Sequence, residues 1–186
     1  MGLWVHSIAE IPAGANRAYY IYLLDYGWEE SLGNAVRANL PRMIDLASRL
    51  NAAVIQGPRG LHFEDEVLSW HHVNGHDAKD ILPAILVTTR HPVSFRDQKS
   101  TSRKEAKSAK DALLLLPLRK ICKSPEDVVQ LIQRVFEDIT EKKRLSEFKA
   151  VKTMKRDVAG ALVDAVIVQP NVGGIGVDLK KLFSRK

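Results

Sequence analysis

The stretch that most constrains this chain is Ile81-Leu82-Pro83-Ala84-Ile85-Leu86-Val87-Thr88-Thr89. It is a short apolar run with enough β-branched residues to predict a buried strand. Its proline stands near the beginning, where a missing N–H breaks no ladder. A second apolar run, Ala112-Leu113-Leu114-Leu115-Leu116-Pro117-Leu118, predicts a neighbouring core strand. A chain with two such strands must cover them, and the rest of the sequence supplies helices to do so.

The 186 residues suffice for one domain, 1–186, with a sizeable core over about 1–140 and a C-terminal extension over 141–186. No run approaches the ~18 apolar residues of a membrane span. Met1-Gly2-Leu3-Trp4-Val5-His6 has no basic region of the kind that opens a signal peptide. The single cysteine, Cys122, excludes an internal disulfide and fits a reducing compartment, so a cytoplasmic location is expected. Arg119, Lys120 and Lys123 flank that thiol and would favour its thiolate. The plainer role, a small residue at a strand end, is preferred.

Charge is divided along the chain. Residues 96–110, 141–156 and 178–186 carry seventeen Lys and Arg against five acids, a net +12. The whole chain is only +6, so the remainder is −6. Such a division suits a surface facing a polyanion, with an acidic face elsewhere.

In chain order, Leu3 to Ile8 predicts a strand and Glu10 to Asn16 a loop. Ala18 to Asp25, with three tyrosines, predicts a strand. Leu32, Val36, Leu40, Met43, Ile44, Ala47 and Leu50 recur at helical steps and predict a helix from about Glu29 to Leu50, kinked at Pro41. Ala52 to Gln56 predicts a strand, Gly57 to Gly60 a turn, and Phe63 to Val73 a short helix. Residues 93–110 read as a long loop or a frayed basic helix from Ser102 to Lys110. Ser124 as cap, Pro125 at the first position and the following acids mark a helix with stripe Val128, Leu131, Ile132, Val135, Phe136 and Ile139. Leu145, Phe148, Val151, Met154 and Val158 continue at helical spacing and predict a second basic amphipathic helix or an extension of the first. Residues 161–168 and 172–177 predict a hairpin, and 179–183 a short helix.

The order over about residues 18–140 is strand, proline-bearing helix, strand, short helix, strand led by Pro83, strand, helix. It resembles the thioredoxin-like fold, an α/β class with three layers around a mixed central sheet. The resemblance implies a cis peptide bond before Pro83. It also implies a redox pair where the first strand meets the kinked helix. That junction here reads Asp25-Tyr26-Gly27-Trp28-Glu29-Glu30-Ser31, without cysteine. Disulfide exchange needs a thiolate, so the activity is expected to be absent while the site geometry is kept.

Four constellations are candidates for function. His62, His71, His72 and His76, interleaved with carboxylates over 62–77, have the residue types of a zinc site and would suit a metal-dependent hydrolase or nuclease. The plainer reading is a polar segment with one or two half-buried histidines. Gly173-Gly174-Ile175-Gly176 precedes Asp178, whose charge would repel phosphate, and reads as a glycine-bearing strand or bulge. The basic set is Arg96, Lys99, Arg103, Lys104, Lys107 and Lys110 in the loop, with Lys142, Lys143, Arg144, Lys149, Lys152, Lys155 and Arg156 beyond it. Such cations suit nucleic acid or an acidic protein partner. Few aromatics accompany them, which favours duplex or structured RNA over single strands. Asp25, Trp28, Glu29 and Pro83 would line a ligand cleft in a thioredoxin-like fold. The expectation is a binding module that needs no cofactor. The alternatives are the metal-dependent enzyme and a structural subunit of a larger assembly.

Overall fold

The computed structural model describes residues 1–27, 30–58, 62–71, 73–74, 81–96, 113–149, 167–168 and 177–178. Its strands are β1 (Gly2–Trp4), β2 (Tyr19–Leu24), β3 (Ala52–Gln56), β4 (Val73–Asn74), β5 (Ala84–Thr88), β6 (Leu113–Pro117), β7 (Ile167–Val168) and β8 (Val177–Asp178). Its helices are α1 (Ser31–Arg49), α2 (Phe63–Trp70), α3 (Val93–Arg96), α4 (Leu118–Ile121) and α5 (Pro125–Thr140). Among these residues no helix is long and apolar enough to cross a membrane.

The main sheet runs β1-β3-β2-β5-β6-β7. β3 is parallel to both β1 and β2, whereas β5 is antiparallel to β2 and β6 to β5. This mixed α/β sheet is consistent with a thioredoxin-like order. The Leu82–Pro83 bond is cis, as the resemblance implied, and β2 and β5 are neighbours.

Side-chain alternation splits the strands between two cores. Tyr19, Ile21 and Leu23 of β2 join Val54, Ile85, Val87, Leu114 and Leu116 against α1 and α5. Tyr20, Tyr22 and Leu24 join Ile55, Leu86 and Leu115 against Phe63, Val67 and Leu68 of α2. Every residue of β2, β5 and β6 is therefore buried. That explains why these strands read as continuous apolar runs and not as alternating ones.

Several expectations are corrected in detail. β1 stops at Trp4, and Ile8 begins a short 3-10 turn capped by Ser7. α1 begins at Ser31 and continues on both sides of Pro41, which offers no N–H to the Arg37 carbonyl. α2 ends at Trp70 with His71 as its cap. The Ser124 cap of α5 is as expected and is reciprocal: Ser124 Oγ accepts from Asp127 N–H, and Asp127 Oδ2 accepts from Ser124 N–H. β7 pairs with β6 and β8 with β4, so the described parts of the expected C-terminal strands do not pair with each other. The basic stretch 102–110, the strand residues 161–166 and the helix 179–183 lie outside the described residues.

The largest departure follows α5. The basic stretch is not an extension of α5: Lys142 takes a positive φ of 53°, and Val151, Met154 and Val158 of the alternative, a second basic helix, lie outside the described residues. The amides of Lys142 and Lys143 turn back to the carbonyls of Ile139 and Asp138, closing the helix with a Schellman motif. Leu145–Glu147 then forms a 3-10 turn. Leu145 and Phe148 are buried as their spacing suggests, but from this turn. A lysine in the left-handed region carries a cost that glycine escapes. Lys142→Gly is expected to raise unfolding free energy by about 1 kcal/mol, read from urea unfolding curves. A loss of stability instead would show that the lysine side chain is needed there.

Candidate functional site

The site lies where β2 hands over to α1, next to the cis Leu82–Pro83 bond. β2 ends at Leu24, and Gly27 turns the chain with a φ of 81°. Such a φ suits glycine, which has no Cβ to clash. Asp25 Oδ1 accepts from Gly27 N–H at 3.0 Å, and Asp25 Oδ2 pairs with Arg37 of α1. Gly33 lets this carboxylate lie close to the helix: a Cβ there would meet Asp25 Oδ2 at 3.0 Å. Both partners are largely shielded, with side-chain exposures of 18% for Arg37 and 14% for Asp25.

A second ion pair closes the same region. Glu30 Oε2 accepts from Arg119 Nε at 3.1 Å and from its Nη2 at 2.5 Å. Arg119 reaches it because α4 follows β6 directly, and Leu118 N–H donates to the carbonyl of Pro83 at 2.9 Å. Tyr26 Oη donates to Asp65 Oδ1 at 2.7 Å, tying the junction to α2. Pro83 is buried. Trp28 and Glu29, which sequence reasoning put in the same cleft, lie outside the described residues. Arg37 and Arg119 were not foreseen. Their roles depend on contacts far along the chain, which no local pattern announces.

Glu64 is a further buried acid near this junction, 2% exposed. Its Oε2 has no hydrogen-bond partner among the described residues. Burial raises its pKa above the ordinary carboxylate value, and the charge of Asp25 adds to that rise; amides of Glu64 and Asp25 oppose it. The sign of the pH dependence follows. A carboxyl group with a raised folded-state pKa favours folding most while protonated. It loses that contribution as pH rises from the unfolded value through the folded one. Glu64→Gln is therefore expected to be more stable than wild type at neutral pH, and the gap should narrow as pH falls through this range. Melting temperatures at several pH values check this. A gap independent of pH would mean that Glu64 does not titrate there.

No thiol takes part. Cys122 is buried, and burial pushes its pKa up to about 11, with Asp127 adding to the rise. The flanking cations do not offset this, so the plainer reading of Cys122 is the one supported.

The histidines are dispersed. His62 and His71 cap opposite ends of α2. His62 is exposed and pairs with Asp65 at 2.9 Å. His71 is buried, its Nδ1 is 2.7 Å from the Val67 carbonyl, and its ring stands edge-on to Tyr22. Among the described residues no group of three or more His, Cys, Asp or Glu could hold a metal ion. His72 and His76 lie outside them.

Of the basic set, Lys142, Lys143, Arg144 and Lys149 are described with their side chains, and Arg96 ends α3. Lys143 Nζ pairs with Asp138 and Glu141. Lys149 pairs with Glu137 at 2.8 Å, and Arg144 with Glu147. The carboxylates raise the pKa of Lys143 well above its ordinary value. Much of the charge on this stretch is thus matched by acids of α5 and the turn after it. Lys99, Arg103, Lys104, Lys107, Lys110, Lys152, Lys155 and Arg156 lie outside the described residues.

No family model, curated protein or solved structure matches the chain.

Proposed function

We propose that this chain is a redox-inactive, thioredoxin-like binding module that engages an anionic partner through its basic segments. The observation that carries the reading is charge segregation. Segment 96–110 holds six cations against two acids, and 150–156 holds Lys152, Lys155 and Arg156 with no acid. The cations at 143–149, by contrast, have carboxylate partners. The chain's one thiol is buried and held protonated, which supports a role without disulfide chemistry. The sparse aromatics favour backbone contact with duplex or structured RNA over base stacking.

The test is fluorescence anisotropy with a labelled RNA duplex, and with an acidic polypeptide in parallel. Binding is expected to weaken steeply with salt, as counterion release requires. Charge reversal of Lys104, Lys107, Lys152 and Lys155 to Glu is expected to reduce affinity at least roughly a hundredfold at low salt. Binding to both probes that persists after reversal, or that ignores salt, would overturn the proposal.

A further inference from the structure

We propose that β1 is a self-association edge, on which a second copy of this chain pairs antiparallel about Leu3. Among the described residues β1 is the outer strand of the main sheet. Its bonds to β3 are one-sided. Val54 N–H donates to the Met1 carbonyl at 2.8 Å, and Val5 N–H donates to the Gln56 carbonyl at 3.1 Å. In a parallel ladder the bonded residues of a strand alternate. Met1, Leu3 and Val5 therefore address β3. Gly2 and Trp4 turn their N–H and C=O groups to the open side.

The side chains match that edge. Trp4 is 59% exposed, the one large hydrophobic so exposed among the described residues. Gly2 lies on the same face as Trp4, because alternate residues share a face. Ile44 of α1 reaches over that face beside the exposed Gly2, where a Cβ would fall 2.6 Å from Ile44 Cδ1. Antiparallel pairing about Leu3 sets Gly2 of each copy opposite Trp4 of the other. Each such pair exchanges two N–H···O bonds, so all the outward groups of Gly2 and Trp4 are used. Each indole then faces a residue without a side chain, beside the half-buried Ile44 of the other copy.

Other twofold registers do worse. Gly2 opposite Gly2, or Trp4 opposite Trp4, uses half the bonds, and the second crowds two indoles together. The edge is thus complementary to itself, which is what a closed, isologous dimer requires. A three-residue ladder with one indole buries well under the roughly 800 Å² per partner of a stable interface. The dimer is therefore weak, with a dissociation constant above about 10 μM.

Analytical ultracentrifugation of the full chain from about 10 μM to about 1 mM tests this. The wild-type mass is expected to rise from 20.8 kDa toward twice that value. Trp4→Pro removes an outward N–H and leaves the bonds to β3 intact. Trp4→Lys places like charges on the edge. Both are expected to remain monomeric across the range, with unchanged circular dichroism. Should Trp4→Pro perturb the fold, Trp4→Lys decides alone. A wild type that stays monomeric at the highest concentration, or a Trp4→Lys variant that associates as wild type does, overturns the proposal.

Discussion

Asp138→Ala is expected to cost about 2–4 kcal/mol of unfolding free energy, from two charge-assisted hydrogen bonds lost and a void opened. Asp138 is fully buried on α5, within an otherwise apolar stripe. Its Oδ1 accepts from Lys143 Nζ at 2.9 Å, and its Oδ2 accepts from the backbone N–H of Lys149. One carboxylate thus ties both ends of the segment that follows the helix. That segment carries Leu145 and Phe148 into the core, where the Phe148 ring lies 6.2 Å from the Tyr19 ring. Tyr19 Oη donates to the Lys143 carbonyl at 2.8 Å, a second tie to the same place. Alanine would leave the partly buried Lys149 N–H without this acceptor and open a void at position 138. Asp138→Asn keeps an acceptor for Lys149 N–H and removes the charge, so it should fall between wild type and alanine. Urea unfolding of the three proteins checks the order. A cost under about 1 kcal/mol for alanine would mean the tie holds nothing.

This anchor marks the boundary of what the sequence reveals. The strands β2, β5 and β6 are legible because burial on both faces demands uninterrupted apolar runs, and Tyr19 to Leu24 and Leu113 to Leu116 supply them. The cap of α5 is legible because Ser124 and Pro125 act within one turn. The end of α5 is not. Leu145 and Phe148 keep helical spacing, and lysine is a good helix former, so nothing local signals that Lys142 turns left-handed. Asp138 is equally silent, because an acid in a charged stretch ordinarily faces water. At the candidate site, the missing thiol and cis Pro83 can be anticipated from the junction and the order of elements. Arg37 and Arg119 cannot. Arg37 meets Asp25 across a turn and a helix start, and Arg119 meets Glu30 from 89 residues away. Pairing at that range is a product of the completed sheet.

Gly57 shows the same limit, and its replacement is expected to be the other large effect. In sequence it belongs to Gly57-Pro58-Arg59-Gly60 and reads as an ordinary turn glycine. In the fold it is buried after β3, beneath the first residue of α2. A Cβ at Gly57 would lie 2.2 Å from Phe63 Cγ and 2.3 Å from Phe63 Cβ. Those atoms are the root of a fully buried ring and cannot swing aside as a flexible tip would. Either α2 lifts from the sheet or the strand end moves. Gly57→Ala is accordingly expected to cost about 3 kcal/mol, the upper part of the usual range for overpacking. Phe63→Ala should cost about 3–5 kcal/mol on its own, through lost burial and the cavity left behind. The decisive measurement is the double variant. With the ring gone, the clashes with Cγ and Cδ1 are removed, and the remaining approach to Cβ at 2.3 Å can be relieved by α2 settling into the space the ring vacated. The double variant should then cost less than the sum of the two single variants, giving a coupling of about 1–3 kcal/mol between the two positions. Additive costs would show that Gly57 is needed for its backbone and not for the approach of Phe63. The cycle therefore tests whether this glycine sets the distance between α2, which carries Glu64 and Asp65 toward the junction, and the sheet that carries Asp25.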